Sequence, residues 1–206
     1  MLPSIKKYCQ NRIQEFNKIS EERKEQLSIL SQYLTKKYQE NHTPKVIVIC
    51  THNSRRSHLG QTWLAVGADF FGLPTLETYS GGTEATAFNP RAVAALKRVG
   101  FDIDTENETT TNPNYEIKWS KEMQPYTAFS TRYDEAPNPQ NDFAAIMVCT
   151  DADEKCPIVL GMDLRLALPF KDPKAFDDTD LESQKYDERC EQIAREFLFV
   201  LNEVKI

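Results

Sequence analysis

Four consecutive β-branched residues, Val46-Ile47-Val48-Ile49, run without a polar interruption into Cys50. An unbroken apolar run of this kind suits a strand buried on both faces, the situation of a parallel sheet covered by helices, rather than a half-exposed strand that alternates in and out. The next apolar residues, Leu59, Trp63, Leu64 and Val66, recur at helical spacing. The polar stretch between them, Cys50 to Arg56, therefore joins the carboxyl end of a buried strand to the amino end of a helix.

The rest of the chain repeats that alternation. A second strand is expected over Leu76–Ser80, ending at Gly81-Gly82. Asn89-Pro90 reads as the cap and first-turn proline of a helix that Gly100 stops. Phe143–Val148 is a further buried strand, Leu164–Phe170 a last one, and Leu181–Val200 a closing amphipathic helix. Strands alternating with helices predict a three-layer α/β fold with a mostly parallel four-stranded sheet, helices on both faces, and ligands at the carboxyl ends of the strands.

Two segments stand outside this pattern. Residues 1–43 are rich in Lys, Glu and Gln, with Ile13, Phe16, Ile19, Leu27, Leu30, Leu34 and Tyr38 at helical intervals. They are expected to form a helical extension of two helices, the second capped by Ser20, ahead of a catalytic domain over 44–206. These helices are expected to pack on the core or to join two copies of the chain as a homodimer. Residues of about 104–140, crowded with Thr, Asn, Pro, Glu and Tyr, read as an irregular insertion.

A formal net charge of −6 argues against general nucleic-acid binding, which needs a basic face to release counterions. No apolar run is long enough to span a bilayer, and the first ten residues are too polar for a signal peptide, so the expected location is the cytoplasm. Five cysteines at uneven spacing fit reduced thiols or redox chemistry better than a disulfide framework. Three histidines without ligand spacing give no zinc site. His58 is expected at the surface, Trp63 in the core, and Cys9 and Cys190 as packing residues within helices.

The Cys50 loop carries the chemistry. Backbone amides at a helix amino terminus, with the positive end of the dipole, bind a tetrahedral oxyanion and favour a thiolate over a thiol. Thr51, His52, Asn53, Ser54, Arg55, Arg56 and Ser57 supply such a ring around Cys50, the candidate nucleophile. Arg56 would grip two oxygens with its planar fork, Ser57 would donate a hydroxyl to the sulfur, and Asn53 would brace the loop.

Cys50, Asn53, Arg56 and Ser57 are spaced as in the signature of the low-molecular-weight tyrosine phosphatase superfamily, which this segment resembles. Two residues depart from it. His52 stands where a glycine is usual, which is expected to reshape the loop, and Arg55 replaces a cysteine common before the arginine. Farther on, Cys149-Thr150-Asp151-Ala152-Asp153-Glu154-Lys155-Cys156-Pro157 resembles the redox segment of the thioredoxin-coupled arsenate reductases. The resemblance runs from about residue 45 to 175 apart from the insertion, more loosely to the end, and does not cover the first helices.

That resemblance implies roles. Cys149 would attack Cys50 to release arsenite, Cys156 would then take over the disulfide, and thioredoxin would reduce it. Asp172-Pro173 resembles the family's aspartate-proline element, making Asp172 the general acid. The phosphatases usually have an aromatic residue after this proline; Lys174 follows here, and Tyr115, Trp119 or Tyr126 in the insertion is expected to supply an aromatic wall instead. Related reductases bind potassium near the position of Asn53, but Gln61 stands where they carry a glutamate, so neither a metal nor a cofactor is expected. The implied activity is arsenate reduction, with hydrolysis of phosphotyrosine or another phosphoester as the alternative.

Overall fold

The computed structural model describes residues 1–105, 109–149 and 159–206. Strand β1 is Lys45–Cys50, with β2 at Glu77–Gly82, β6 at Phe143–Met147 and β7 at Met162–Ala167. They form one parallel sheet in the order β2-β1-β6-β7. The β-branched run of β1 thus lies at the centre, with Val48 opposite Ser80 on one side and Ile146 on the other. Side chains alternate across a strand, and Val46 to Ile49 are all fully buried, so both faces of β1 are covered as the unbroken run predicted.

Helices α1 (Pro3–Ile13), α2 (Glu21–Gln39), α3 (Arg56–Phe71), α4 (Pro90–Val99) and α5 (Glu182–Asn202) surround the sheet. Their boundaries follow local chemistry. Ser20 Oγ accepts from the Arg23 amide at 3.3 Å and Asn89 Oδ1 from the Arg91 amide at 2.9 Å, each satisfying one first-turn donor. Gly100 ends α4 with φ 112°, a left-handed conformation that a side chain would oppose. Helix α3 presses closely on β1: a methyl at Gly60 would lie 2.8 Å from Val48 Cγ1 and 3.0 Å from the Phe197 ring of α5.

The apolar faces of α1 and α2 are turned inward, toward α5. Ile5, Cys9, Leu27, Leu30 and Leu34 belong to the same core cluster as the sheet residues. Charged pairs line the seam: Arg12 and Arg195 hold Glu15, and Arg23 holds Glu196 at 2.7 Å. Trp63 is core, stacked on Tyr8 with ring centroids 5.2 Å apart, and Cys9 and Cys190 are buried packing residues. No described helix is long and apolar enough to cross a membrane.

The insertion is more regular than its composition suggests. Strands β3 (Asp102–Thr105), β4 (Tyr115–Lys118) and β5 (Tyr126–Ala128) form a separate antiparallel sheet in that order. Its aromatic residues serve packing. Trp119 Nε1 donates to Asp69 at 2.9 Å, the Tyr126 hydroxyl meets Thr62 Oγ1 at 2.8 Å, and Tyr115 lies edge-on to Phe88 at 5.5 Å. The expected aromatic wall at the substrate mouth is therefore not formed by these three rings; they fasten the second sheet to α3 and its neighbours.

Candidate active site

Helix α3 has no side-chain cap, unlike α2 and α4, and no acidic residue in its first turn. Its leading amides adjoin the turn that follows Cys50, leaving them available to an anion rather than to a capping carboxylate or hydroxyl. The turn itself is tightly made. Thr51 O accepts from the Glu84 amide at 2.9 Å, Ser54 O from the Asn89 amide at 2.8 Å, and Gly82 sits so close that a methyl there would lie 2.7 Å from the Asn53 nitrogen.

Asn53 is the left-handed residue of the turn, at φ 43°. His52, where a glycine is usual, is not among the positive-φ residues, so histidine needs no strained backbone there. The expected reshaping at His52 is replaced by a left-handed step one residue later, at an asparagine, which tolerates it best after glycine. The His52 side chain is half-exposed, 3.7 Å from Glu84.

Hydrogen-bond directions around Cys50 follow from donor inventories. The Thr131 amide donates to Asn53 Oδ1 at 2.8 Å, which fixes the amide so that Nδ2 faces Ser57 Oγ at 2.9 Å. Ser57 accepts there, and its single hydrogen is left for Cys50 Sγ at 3.1 Å. A donated hydroxyl stabilises a sulfur anion more than a neutral thiol. On the other side of Asn53, its carbonyl can only accept, so His58 Nε2 carries the hydrogen at 2.9 Å. His58 Nδ1 then accepts from the Ser80 hydroxyl at 3.2 Å.

His58 is fully buried, not at the surface as its sequence context suggested. It stacks on Phe88 with centroids 4.0 Å apart, and burial pushes its pKa down to about 3, so the ring is neutral near pH 7. Its partners are a backbone carbonyl and a hydroxyl from β2, neither of which leaves a pattern in the sequence.

Arg56 spans the neighbouring strand ends. Nη1 donates to Phe170 O at 2.8 Å and Val148 O at 3.4 Å, while Nη2 meets Asp172 Oδ2 at 2.6 Å. Asp172 follows β7 and caps a short 3-10 helix, Pro173–Phe176, by accepting from the Lys174 amide. The expected clamp, Arg56, and the expected acid, Asp172, are thus brought together. The Arg55 side chain points elsewhere, to the Tyr186 hydroxyl at 2.7 Å and Asp177 at 3.0 Å, so only its backbone remains for the ring.

Cys149 follows β6, the strand beside β1, after Val148, and is buried with Sγ 3.4 Å from Thr51 Oγ1. Cys156 lies outside the described residues, as does the Asp151-Ala152-Asp153 segment. Burial raises Cys9 and Cys190 to about 12, which keeps both as thiols. No group of three His, Cys, Asp or Glu residues suited to a metal ion occurs among the described residues. Gln61 donates to Thr78 O at 2.9 Å.

A parallel four-stranded sheet with a cysteine-to-arginine loop between its central strand and α3 defines the class of low-molecular-weight phosphatase-like proteins. A solved structure described as an arsenate reductase in the phosphate binding state matches over 79% of this chain and all of its own, with a TM-score of 0.51 at 15% identity. A low-molecular-weight phosphotyrosine phosphatase from Vibrio cholerae matches over 77% of the chain and 95% of its own, at a TM-score of 0.51 and 14% identity. In sequence, arsenate reductase 2 of Staphylococcus epidermidis is 33% identical over 128 residues, 62% of this chain and 77% of that protein. Arsenate reductase of Bacillus subtilis is 27% identical over 144 residues, covering 70% of this chain and 84% of that one. No family model matches the chain. It belongs to the arsenate reductase family of the low-molecular-weight phosphatase-like fold.

Proposed function

We propose that the protein is an arsenate reductase with Cys50 as nucleophile, Arg56 as oxyanion clamp, Asp172 as general acid, and Cys149 and Cys156 as a disulfide relay. The observation that carries this reading is the position of Cys149. It is the second residue after the strand paired with the nucleophile's own strand, and its sulfur lies 3.4 Å from Oγ1 of Thr51, the first residue of the loop.

In the proposed sequence, the Cys50 thiolate attacks arsenic(V). A sulfur–arsenic bond forms, and one oxygen leaves as water after taking a proton from Asp172. Cys149 thiolate then attacks the Cys50 sulfur. The new disulfide leaves the sulfur–arsenic electron pair on arsenic, which departs as arsenite, reduced by two electrons. Cys156 attacks Cys149, freeing Cys50 as thiolate, and thioredoxin reduces the Cys149–Cys156 bond by exchange. The two electrons come from thioredoxin, so we place the reaction in the cytoplasm, where that reductant is kept reduced.

The test is arsenate turnover coupled to thioredoxin, thioredoxin reductase and NADPH, beside hydrolysis of an aryl phosphate. Cys149→Ser should abolish the first and leave the second. Undiminished arsenate turnover in that variant would remove the relay.

The alternative, hydrolysis of phosphotyrosine or another phosphoester, is favoured by one observation: Cys50, Arg56 and Asp172 form a complete set for it without either relay thiol. Aryl phosphate hydrolysis with no thioredoxin-dependent arsenate turnover would select it. A homodimer through the first two helices is the less supported expectation, because their apolar faces are already covered by α5. Sedimentation would decide it.

A further inference from the structure

The insertion reaches the nucleophile loop by a short, fully hydrogen-bonded segment. Ser130 is buried, and its hydroxyl donates to His52 O at 3.1 Å while accepting from the Thr86 amide at 2.8 Å. Its neighbour Thr131 supplies the amide that fixes Asn53 Oδ1, and Thr131 O accepts from the Gly82 amide at 2.9 Å. Asn112, from the other side of the insertion, holds the Ser130 backbone at two points: Oδ1 accepts from Ser130 N at 3.0 Å and Nδ2 donates to Ser130 O at 2.8 Å.

We propose that this Asn112–Ser130 clamp is the positioning device of the nucleophile loop, with Ser130 and Asn112 as positioning residues for Cys50. The inference rests on Cys50 being the nucleophile. Its physical content is the direction of one hydrogen bond. With the Thr131 amide on Oδ1, Asn53 offers Nδ2 to Ser57, and Ser57 gives its hydrogen to the sulfur. Were the Asn53 amide reversed, Oδ1 would face Ser57, take that hydrogen, and leave the thiolate without its donor.

The clamp has a rigid base. The Tyr126 and Trp119 bonds to Thr62 and Asp69 anchor the second sheet on α3, the helix that begins at the end of the same loop. The loop is thereby held between its own helix and the insertion. Ser130 and Thr131 bond to His52 and Asn53, in the middle of the turn between the end of β1 and the start of α3. A segment that merely filled space would have no reason to spend its donors on these groups.

The test is the rate of iodoacetamide alkylation of Cys50 in the full chain, located by mass spectrometry, across pH and with inorganic phosphate as protectant. Ser130→Ala should slow alkylation at pH 7 about tenfold, the effect of about one hydrogen bond to a charged group, and should raise the phosphate needed for protection by a similar factor. The limiting rate at alkaline pH should stay unchanged, which a general loosening of the fold would not give. Asn112→Ala, which does not touch the loop, should act in the same direction, and Ser130→Thr should restore most of the rate. Thr127→Val, on the exposed side of the second sheet, should behave as the parent protein.

Parent-like alkylation and phosphate protection in both Ser130→Ala and Asn112→Ala, with a reactive parent Cys50, would overturn the clamp and leave the nucleophile assignment standing. A parent Cys50 that alkylates no faster than a free thiol at pH 7, together with full turnover in Cys50→Ser, would remove both.

Discussion

Asp172 Oδ2 lies 2.6 Å from Nη2 of Arg56, so the residue proposed to donate a proton and the residue proposed to grip the oxyanion are bonded to each other. An oxyanion entering the loop competes with Asp172 for the same edge of the guanidinium.

Asp172→Asn therefore has opposite effects on binding and on chemistry. It removes the competing charge, and inorganic phosphate should bind several-fold more tightly by calorimetry. Turnover should fall by about 10²–10⁴, the usual contribution of a positioned acid. Weaker phosphate binding in this variant would show that Asp172 orients Arg56 rather than competing for it.

Buried neutral His58 gives a stability that depends on pH. In the unfolded chain the ring takes a proton below about 6.5, whereas in the fold it does so only near 3. Between those values the unfolded state binds more protons, so stability is full above about pH 6.5 and falls as pH drops toward 3, by on the order of a few kcal/mol. Urea unfolding at pH 7 and pH 5 measures this. His58→Gln should flatten the dependence over that window while lowering stability at pH 7.

Gly82→Ala tests how closely the end of β2 supports the loop. The added methyl would lie 2.7 Å from Asn53 N and 2.9 Å from Thr51 O, both backbone atoms that can yield only by moving the loop. Loss of phosphate binding is expected to exceed loss of stability, with the latter about 1–3 kcal/mol. A variant with parent-like phosphate affinity would show that the loop can shift without losing its anion geometry.

Arg23→Met addresses the seam between α2 and α5. It strands Glu196, which is 3% exposed, although Gln192 Nε2 still donates to it at 2.8 Å. Breaking such a buried pair typically costs about 3–5 kcal/mol, whereas replacing both members by apolar residues costs far less. The urea midpoint should fall strongly in Arg23→Met and recover by more than half in Arg23→Met with Glu196→Leu.

The central strand, the loop and α3 were readable because local pattern and tertiary role agree there: an apolar run, a cysteine, polar residues, then helical spacing. Ser20, Asn89 and Gly100 were readable as caps for the same reason. The second sheet was not, because β3 to β5 are three to four residues long and rich in charged and polar side chains, below the length at which alternation stands out. His58 was misplaced because its burial depends on Ser80 and Phe88, both distant in sequence. The hold of Ser130 and Asn112 on the loop left no pattern either, since most of its partners are backbone groups. Arg55 could be seen in the loop, but its departure toward Tyr186 and Asp177 could not.

Cys50 ends β1 and Cys149 closely follows the end of the adjacent β6, and neighbouring strands lie about 4.8 Å apart whatever chain connects them. Their separation is therefore independent of the long excursion between them, which includes β2, α4 and the whole second sheet. Length can be gained or lost along that excursion without altering the gap between the two sulfurs' strands. A lineage could graft an additional sheet there without disturbing the proposed relay, whereas adding a single residue to the five between Cys50 and Arg56 would displace the amides of the loop.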